Sequence, residues 1–236
     1  MQSWEIGTET HWKLTAEAVR AAMAQAQLDA SGVAFVQLKC PCFTVAAAQE
    51  AVAKGKTLCS NDPNRAMALS RVAGAWGVGL ALGELNESSL HPDVMLGNYS
   101  LCSNRASVSS GVEVDAVEVI VMGNSQYWSG NYQIYSTTMK DALDFEAAVR
   151  LREKILLNPQ KIHGVLVKCE PDRSGKIRGF RHTMLDDTDI NAQRHIRGAL
   201  GGLIASIFGD GLIFVSGGAE HQGPDGGGLL AIISER

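Results

Sequence analysis

Two sets of polar residues recur in the same order along this chain. Each holds a lysine, an arginine and a serine: Lys39, Arg71 and Ser109, then Lys168, Arg197 and Ser216. A serine hydroxyl is a poor nucleophile at neutral pH and needs a neighbouring base. A lysine serves as that base once burial or a nearby positive charge lowers its pKa, and each set contains an arginine able to supply such a charge. The same guanidinium offers a planar fork of donors to a flat ring bearing carbonyl oxygens or a nitrogen anion. Glycines stand beside each serine, in Ser109-Ser-Gly111-Val-Glu113 and Ser216-Gly-Gly218-Ala-Glu220, where they let backbone N–H groups approach a developing oxyanion. These residue types suit acyl transfer from a cyclic amide, with the serine attacking a ring carbonyl. The plainer alternative is a duplicated scaffold whose polar residues are solvated strand ends.

The elements that must position these residues repeat as well. Each lysine closes a β-rich run, Val36-Gln-Leu-Lys39-Cys40 and Val165-Leu-Val-Lys168-Cys169. Each arginine opens a Gly/Ala-rich helix that ends in glycine plus an acid, at Glu84 and Asp210. The Lys-to-Arg intervals are 32 and 29 residues and the Arg-to-Ser intervals 38 and 19, so loops differ while order persists. Pattern and turn signals predict strands at 33–39, 117–122, 164–168, 212–215 and 229–233. Helices are predicted at 15–28, capped by Thr15, at 71–84, at 144–157 with a stop at Asn158-Pro159, and at 190–208 with Gly209 past its end. The glycines of 71–84 read as close-packing positions. Its Gly77-Val-Gly79 is no dinucleotide loop, because no turn separates strand from helix there. Strands alternating with helices give an α/β (α+β) class of repeated strand–helix units.

Composition narrows the function. A net charge of −4 gives no basic field for nucleic acid. No apolar run approaches the ~18 residues of a membrane span, and Met1 to Lys13 lacks the apolar core of a secretion signal. Five irregularly spaced cysteines, Cys40, Cys42, Cys59, Cys102 and Cys169, fit reduced thiols in the cytoplasm. Cys40 and Cys42 have no matching second pair and read as small buried hydrophobes rather than zinc ligands. His182, His195 and His221 lack the spacing of a helical zinc pair. The most unusual stretch is Ser216 to Gly228, SGGAEHQGPDGGG. Its glycines would let carbonyls converge on a hard cation, with Glu170 or Gln222 adding side-chain oxygens. A mobile surface loop is the competing reading.

That loop, the upstream RGFRHTMLDDTDIN (Arg178 to Asn191), VQLKCP (Val36 to Pro41) and the Ser-Arg-x-x-Gly-Ala run at Ser70 to Ala75 together closely resemble the cyanuric acid amidohydrolase/barbiturase family of ring-opening amidohydrolases. The resemblance runs over nearly the whole chain and is most specific from Lys168 to Gly228. It implies three repeats around a pseudo-threefold axis, each giving a Lys–Ser pair and an arginine to one centre. By position, Ser109 matches the nucleophile and Lys39 its general base. Arg71, Ser110, Lys168, Arg197, Ser216 and Gly217 match substrate-binding positions. A structural divalent cation, usually magnesium, is implied at Glu170 with Ala219, Gln222, Gly223, Pro224 and Gly227, mostly through backbone carbonyls.

The implied reaction is hydrolytic opening of a small cyclic imide, cyanuric acid to carboxybiuret, with barbituric acid as the alternative ring. Homo-oligomerisation is implied too. The family's first repeat has no counterpart here, so residues 1–143 are expected to be the middle repeat and 144–236 the C-terminal one. A separate chain supplying the remaining repeat, or a non-catalytic subunit of the same fold, are the further expectations.

Overall fold

The computed structural model describes residues 1–156 and 161–235. The expected helix stop at Leu157 to Pro159 lies outside the described residues. The first helix, α1 (Glu9–Gln25), starts earlier than its sequence pattern indicates. Thr8 holds the N-cap and Glu9 the first turn, where a negative charge opposes the positive end of the helix. Thr15, expected as the cap, lies inside the helix instead, fully buried, its hydroxyl donating to the His11 carbonyl at 2.9 Å. The apolar stripe continues backward through Trp12, which polar neighbours disguise in the sequence.

After β1 (Val33–Pro41) and a short α2 (Val45–Ala53) comes α3 (Pro63–Ala81). Asp62 caps α3 by accepting from the Asn64 N–H, and Pro63 occupies the first turn, where a missing N–H costs nothing. Arg71 therefore stands in mid-helix and does not open it, contrary to the expectation from the glycine-rich run alone. The glycines do allow close packing: a Cβ on Gly74 would stand 2.7 Å from the Cys40 sulfur, and one on Gly77 would meet the Trp12 carbonyl at 2.7 Å. Strands β2 (Ala106–Gly111) and β3 (Glu118–Gly123) complete a sheet in the order β2-β1-β3, with β2 parallel and β3 antiparallel to β1.

The second sheet is built likewise. β4 (Tyr132–Met139) is followed by α4 (Phe145–Leu156), β5 (Ile162–Cys169), the two-residue strands β6 (Lys176–Ile177) and β7 (Phe180–Arg181), α5 (Ala192–Phe208), β8 (Phe214–Ser216) and β9 (Gly228–Glu235). Its order is β4-β9-β5-β8, with β8 parallel and β9 antiparallel to β5. Asn191 caps α5, so Arg197 also stands inside its helix, while Gly209 ends it at φ +68°, the left-handed conformation glycine adopts without strain. The plan α1-β1-α3-β2-β3 thus recurs as α4-β5-α5-β8-β9. Strand β4 precedes residue 143 yet joins the second sheet through β9.

Alternation along the strands sets which side chains meet. Val36, Leu38 and Cys40 of β1 pack with residues of α1 and α3, and Val165, Val167 and Cys169 of β5 pack with residues of α4 and α5. The opposite faces look inward, where Phe35, Ile134, Leu229 and Ala231 form a small core between the sheets. Lys39 and Lys168 lie on these inward faces, farther along the same strands. Helices cover the outside of each sheet; Lys168 is buried between the sheets, and Lys39 is half-buried.

Candidate active site between the two sheets

The register of the parallel pairs places each lysine opposite its serine. Lys39 is the Cα partner of Ser109 on β1 and β2, and Lys168 is the partner of Ser216 on β5 and β8. Two chemistry-bearing pairs are therefore presented by equivalent strands, but their side chains are engaged differently.

Lys168 is 1 % exposed. Its ammonium donates to the Ser216 hydroxyl at 3.1 Å, the Gly217 carbonyl at 2.9 Å and the Val108 carbonyl at 2.8 Å. All three N–H donors of the ammonium are thereby used. Burial holds its pKa down to about 8, and the positive charge of Arg71 lowers it further against the opposing pull of Glu220, Cys169 and Glu170. Val108 belongs to β2, so the first unit supplies part of the second unit's lysine site.

Arg71 performs the same bridging in the other direction of charge. Its Nε donates to Glu220 Oε2 at 2.7 Å and its Nη2 to Glu220 Oε1 at 2.6 Å, a two-point pair with side-chain exposures of only 13 % and 6 %. Its Nη1 donates to the Ser110 hydroxyl at 3.2 Å, and that hydroxyl donates to the Met67 carbonyl at 2.9 Å. Gly218, at φ +70°, lies directly against the guanidinium. The fork expected to face a substrate is largely occupied by Glu220.

Lys39 and Ser109 face each other without a hydrogen bond between their side chains. The Lys39 amine is paired with Glu113, and Ser109 Oγ donates to the Leu38 carbonyl at a long 3.4 Å. Arg197 is exposed on α5, with no ion pair among the described residues. Its stem runs beside Gly217, 3.5 Å from where a Cβ would stand.

The glycine-rich loop is not a mobile surface element: residues 218–223 and 226–228 are buried. Side chains on Gly227 and Gly228 would collide with the backbones of Met139 and Lys168, which is why this stretch needs glycine. Glu170 packs against it, with Oε2 accepting from the Ala219 N–H at 2.6 Å. Burial pushes the Glu170 carboxyl up to about 7, and the neighbouring Glu220 charge adds to this, while the Ala219 N–H, Arg71 and Gln193 oppose it. Glu220 holds the Arg71 guanidinium, while Glu170 accepts from the Ala219 N–H and the Gln193 side-chain amide. Among the described residues no group of three or more His, Cys, Asp or Glu side chains gathers for a metal, so a hard cation at Glu170 would have to draw its other oxygens from backbone carbonyls. The Gln222 side chain does not contribute as expected. Its oxygen accepts from the Val108 N–H at 2.6 Å and its nitrogen donates to the Gly218 carbonyl at 3.1 Å.

Glu113, Glu220 and Gln193 were not singled out by sequence. The two glutamates occupy matching places in the serine motifs, which was the available signal. Gln193 Nε2 lies 3.4 Å from both Glu170 and Glu220, and nothing in its sequence context announces this. His221, read as structural, is fully buried with Nε2 accepting from the Leu96 N–H at 3.0 Å.

With this geometry established, comparison with known proteins is informative. The model of the family described as "amidohydrolase ring-opening protein" matches residues 1–235. A cyanuric acid amidohydrolase from Ectopseudomonas oleovorans is 46% identical over 236 residues, covering 97% of this chain and 65% of the relative. One from Azorhizobium caulinodans is 46% identical over 232 residues, covering 98% and 65%. The crystal structure of a cyanuric acid hydrolase from A. caulinodans superposes with a TM-score of 0.94 at 44% identity, covering 100% of this chain and 68% of that one. The chain spans about 65% of the length of the curated relatives it matches.

Proposed function

From the premise that this chain belongs to the ring-opening amidohydrolase family, we propose that it takes part in hydrolytic opening of a small cyclic imide, cyanuric acid being the first candidate. The observation that carries this reading is the recurrence of a lysine opposite a serine, on adjacent parallel strands, in both units. Ser109 is the nucleophile and Lys39 its base. The amine, once parted from Glu113 and rid of its own proton, takes the hydroxyl proton as Oγ attacks a ring carbonyl carbon. The ring C–N bond then breaks, and the lysine ammonium returns the proton to the departing nitrogen. Water hydrolyses the resulting acyl ester by the same proton route in reverse. Arg71, Arg197, Ser110, Ser216, Gly217 and Lys168 bind the ring's oxygens and nitrogens.

A second assignment has its own support: Ser216 with Lys168 as the reacting pair. That amine already touches its serine, and burial lowers its own pKa to about 8. The experiment is loss of cyanuric acid, and separately of barbituric acid, with Ser109→Ala and Ser216→Ala made in an active preparation of the chain alone or with a supplied further repeat. Loss of the nucleophile is expected to cut kcat by about a thousandfold or more. Full activity in Ser109→Ala would transfer the role to Ser216, and absence of ring opening in every preparation would defeat the enzymatic reading.

We further assign Glu170 and the carbonyls of Ala219, Gln222, Gly223, Pro224 and Gly227 to a structural magnesium ion. Such an ion would neutralise the buried carboxylates and fasten the loop. Residues 1–143 and 144–236 act as the two repeats, with β4 of the first segment completing the sheet of the second, and association with like chains or with a chain bearing a further repeat is part of the same proposal.

A further inference from the structure

The two copies of the serine motif differ in one respect that bears on how a lysine becomes available to its serine. In the second copy, Glu220 is turned to Arg71 of the first unit, and Lys168 is left to donate to Ser216. In the first copy, Glu113 stands four residues after Ser109, as Glu220 does after Ser216. Among the described residues no arginine is paired with Glu113. Its carboxylate folds back across Gly111 onto the Lys39 amine, and Ser109 is left with only the long contact to Leu38. One arrangement has an arginine on its glutamate, a lysine with no carboxylate partner and a formed Lys–Ser contact, and the other lacks all three.

We propose that Glu113 is a gate on Lys39, closed in this chain and opened when a neighbouring polypeptide unit presents an arginine to it as Arg71 is presented to Glu220. A guanidinium offers a carboxylate two parallel N–H bonds, whereas an ammonium offers one compact charge, so an arginine in reach displaces the lysine. Glu113 is largely exposed, at 60 % of its side chain, so an incoming arginine needs no unfolding to reach it. The chain also carries the complementary half of such a junction in Arg197, exposed at the position equivalent to Arg71. The partner is thus a unit of the same design, with an arginine inside a helix packed on its sheet. The released Lys39 then turns to Ser109. Glu113 acts through Lys39 and is a positioning residue, and this consequence for chemistry rests on the assignment of Lys39 as the base.

The gate is tested by amine acylation. Lys39 modification at about pH 8 is measured by peptide mass spectrometry and normalised to exposed Lys176, which has no ion pair among the described residues, with circular dichroism confirming the fold. Glu113→Gln is expected to raise the Lys39 rate about threefold or more, because an exposed ion pair withholds the amine only modestly. Ethylguanidinium at tens of millimolar is expected to raise it in the wild-type chain and not in Glu113→Gln. Equal Lys39 rates in variant and wild type, or an equal response of both proteins to ethylguanidinium, would overturn the gate. Increased labelling, with ring opening that survives complete acylation of Lys39 in an active preparation, would uphold the gate and overturn the assignment of Lys39 as base.

Discussion

At Arg71 a single side chain serves three neighbours at once: it joins two carboxylate oxygens of Glu220, holds the Ser110 hydroxyl, and places a positive charge near the Lys168 amine. Removing it leaves buried Glu220 without its two-point partner, with the Lys168 ammonium as the neighbouring positive charge, and breaking a well-buried pair costs about 3–5 kcal/mol. Arg71→Met is therefore expected to lower urea stability by that order. Adding Glu220→Gln to it should recover a substantial part, since the charge left without its partner goes with it. Strictly additive losses in this double-mutant cycle would show that the pair is not coupled. The lysines, serines and arginines were legible in sequence because order and spacing repeat. The Glu220 partnership was not, because its partner lies 149 residues away and an ion pair leaves no mark on local pattern.

Among the elements, α1 carries a pH-sensitive device in His11. The ring is fully buried, Nδ1 accepts from the Gly7 N–H at 3.2 Å, and Nε2 has no partner. Burial, helped by the N-terminal ammonium, lowers its pKa to about 4 from 6.5. The folded chain thus refuses a proton that the unfolded chain accepts below pH 6.5. Stability present above that pH is lost as pH falls toward 4, by up to about 3 kcal/mol. His11→Gln keeps an acceptor for Gly7 and removes the titration. Its urea midpoint should fall less between pH 7 and 4.5 than that of the wild type, and an identical fall would contradict the assignment. Helices and strands differed in how readable they were. β1, β5, α5 and β9 announce themselves by apolar period or a terminal glycine. β2 does not, because Ser107 and Ser109 alternate with small residues and the inward face it builds is polar. α3 was read late because its Asp62-Pro63 start signal precedes a polar turn.

At the scale of the whole molecule, the glycine-rich loop ties the two units together. Gly223 N–H donates to the Ser103 carbonyl at 2.9 Å, Ser103 N–H to the His221 carbonyl at 3.0 Å, and Gln222 holds the edge of β2 at Val108. The duplication was readable from the motifs, but this clasp was not. Sequence marks glycine density without saying whether the space around it is solvent or another backbone, and here it is the backbones of Met139 and Lys168. A cation held at Glu170 would act on that clasp and so on the unfolding of both units together. A ligand that binds only the folded chain stabilises it by about 2.7 kcal/mol at a hundred times its dissociation constant. For a chain of this size that amounts to a rise of about 5–10 °C in Tm. Magnesium added to chelator-treated protein should therefore raise Tm by several degrees in one cooperative step. Glu170→Gln should abolish most of that rise, because the amide keeps the shape but supplies no charge to the ion. The same Tm in chelator and in saturating magnesium would remove the ion from the structure, and a second, separate transition would mean that the loop does not couple the two sheets.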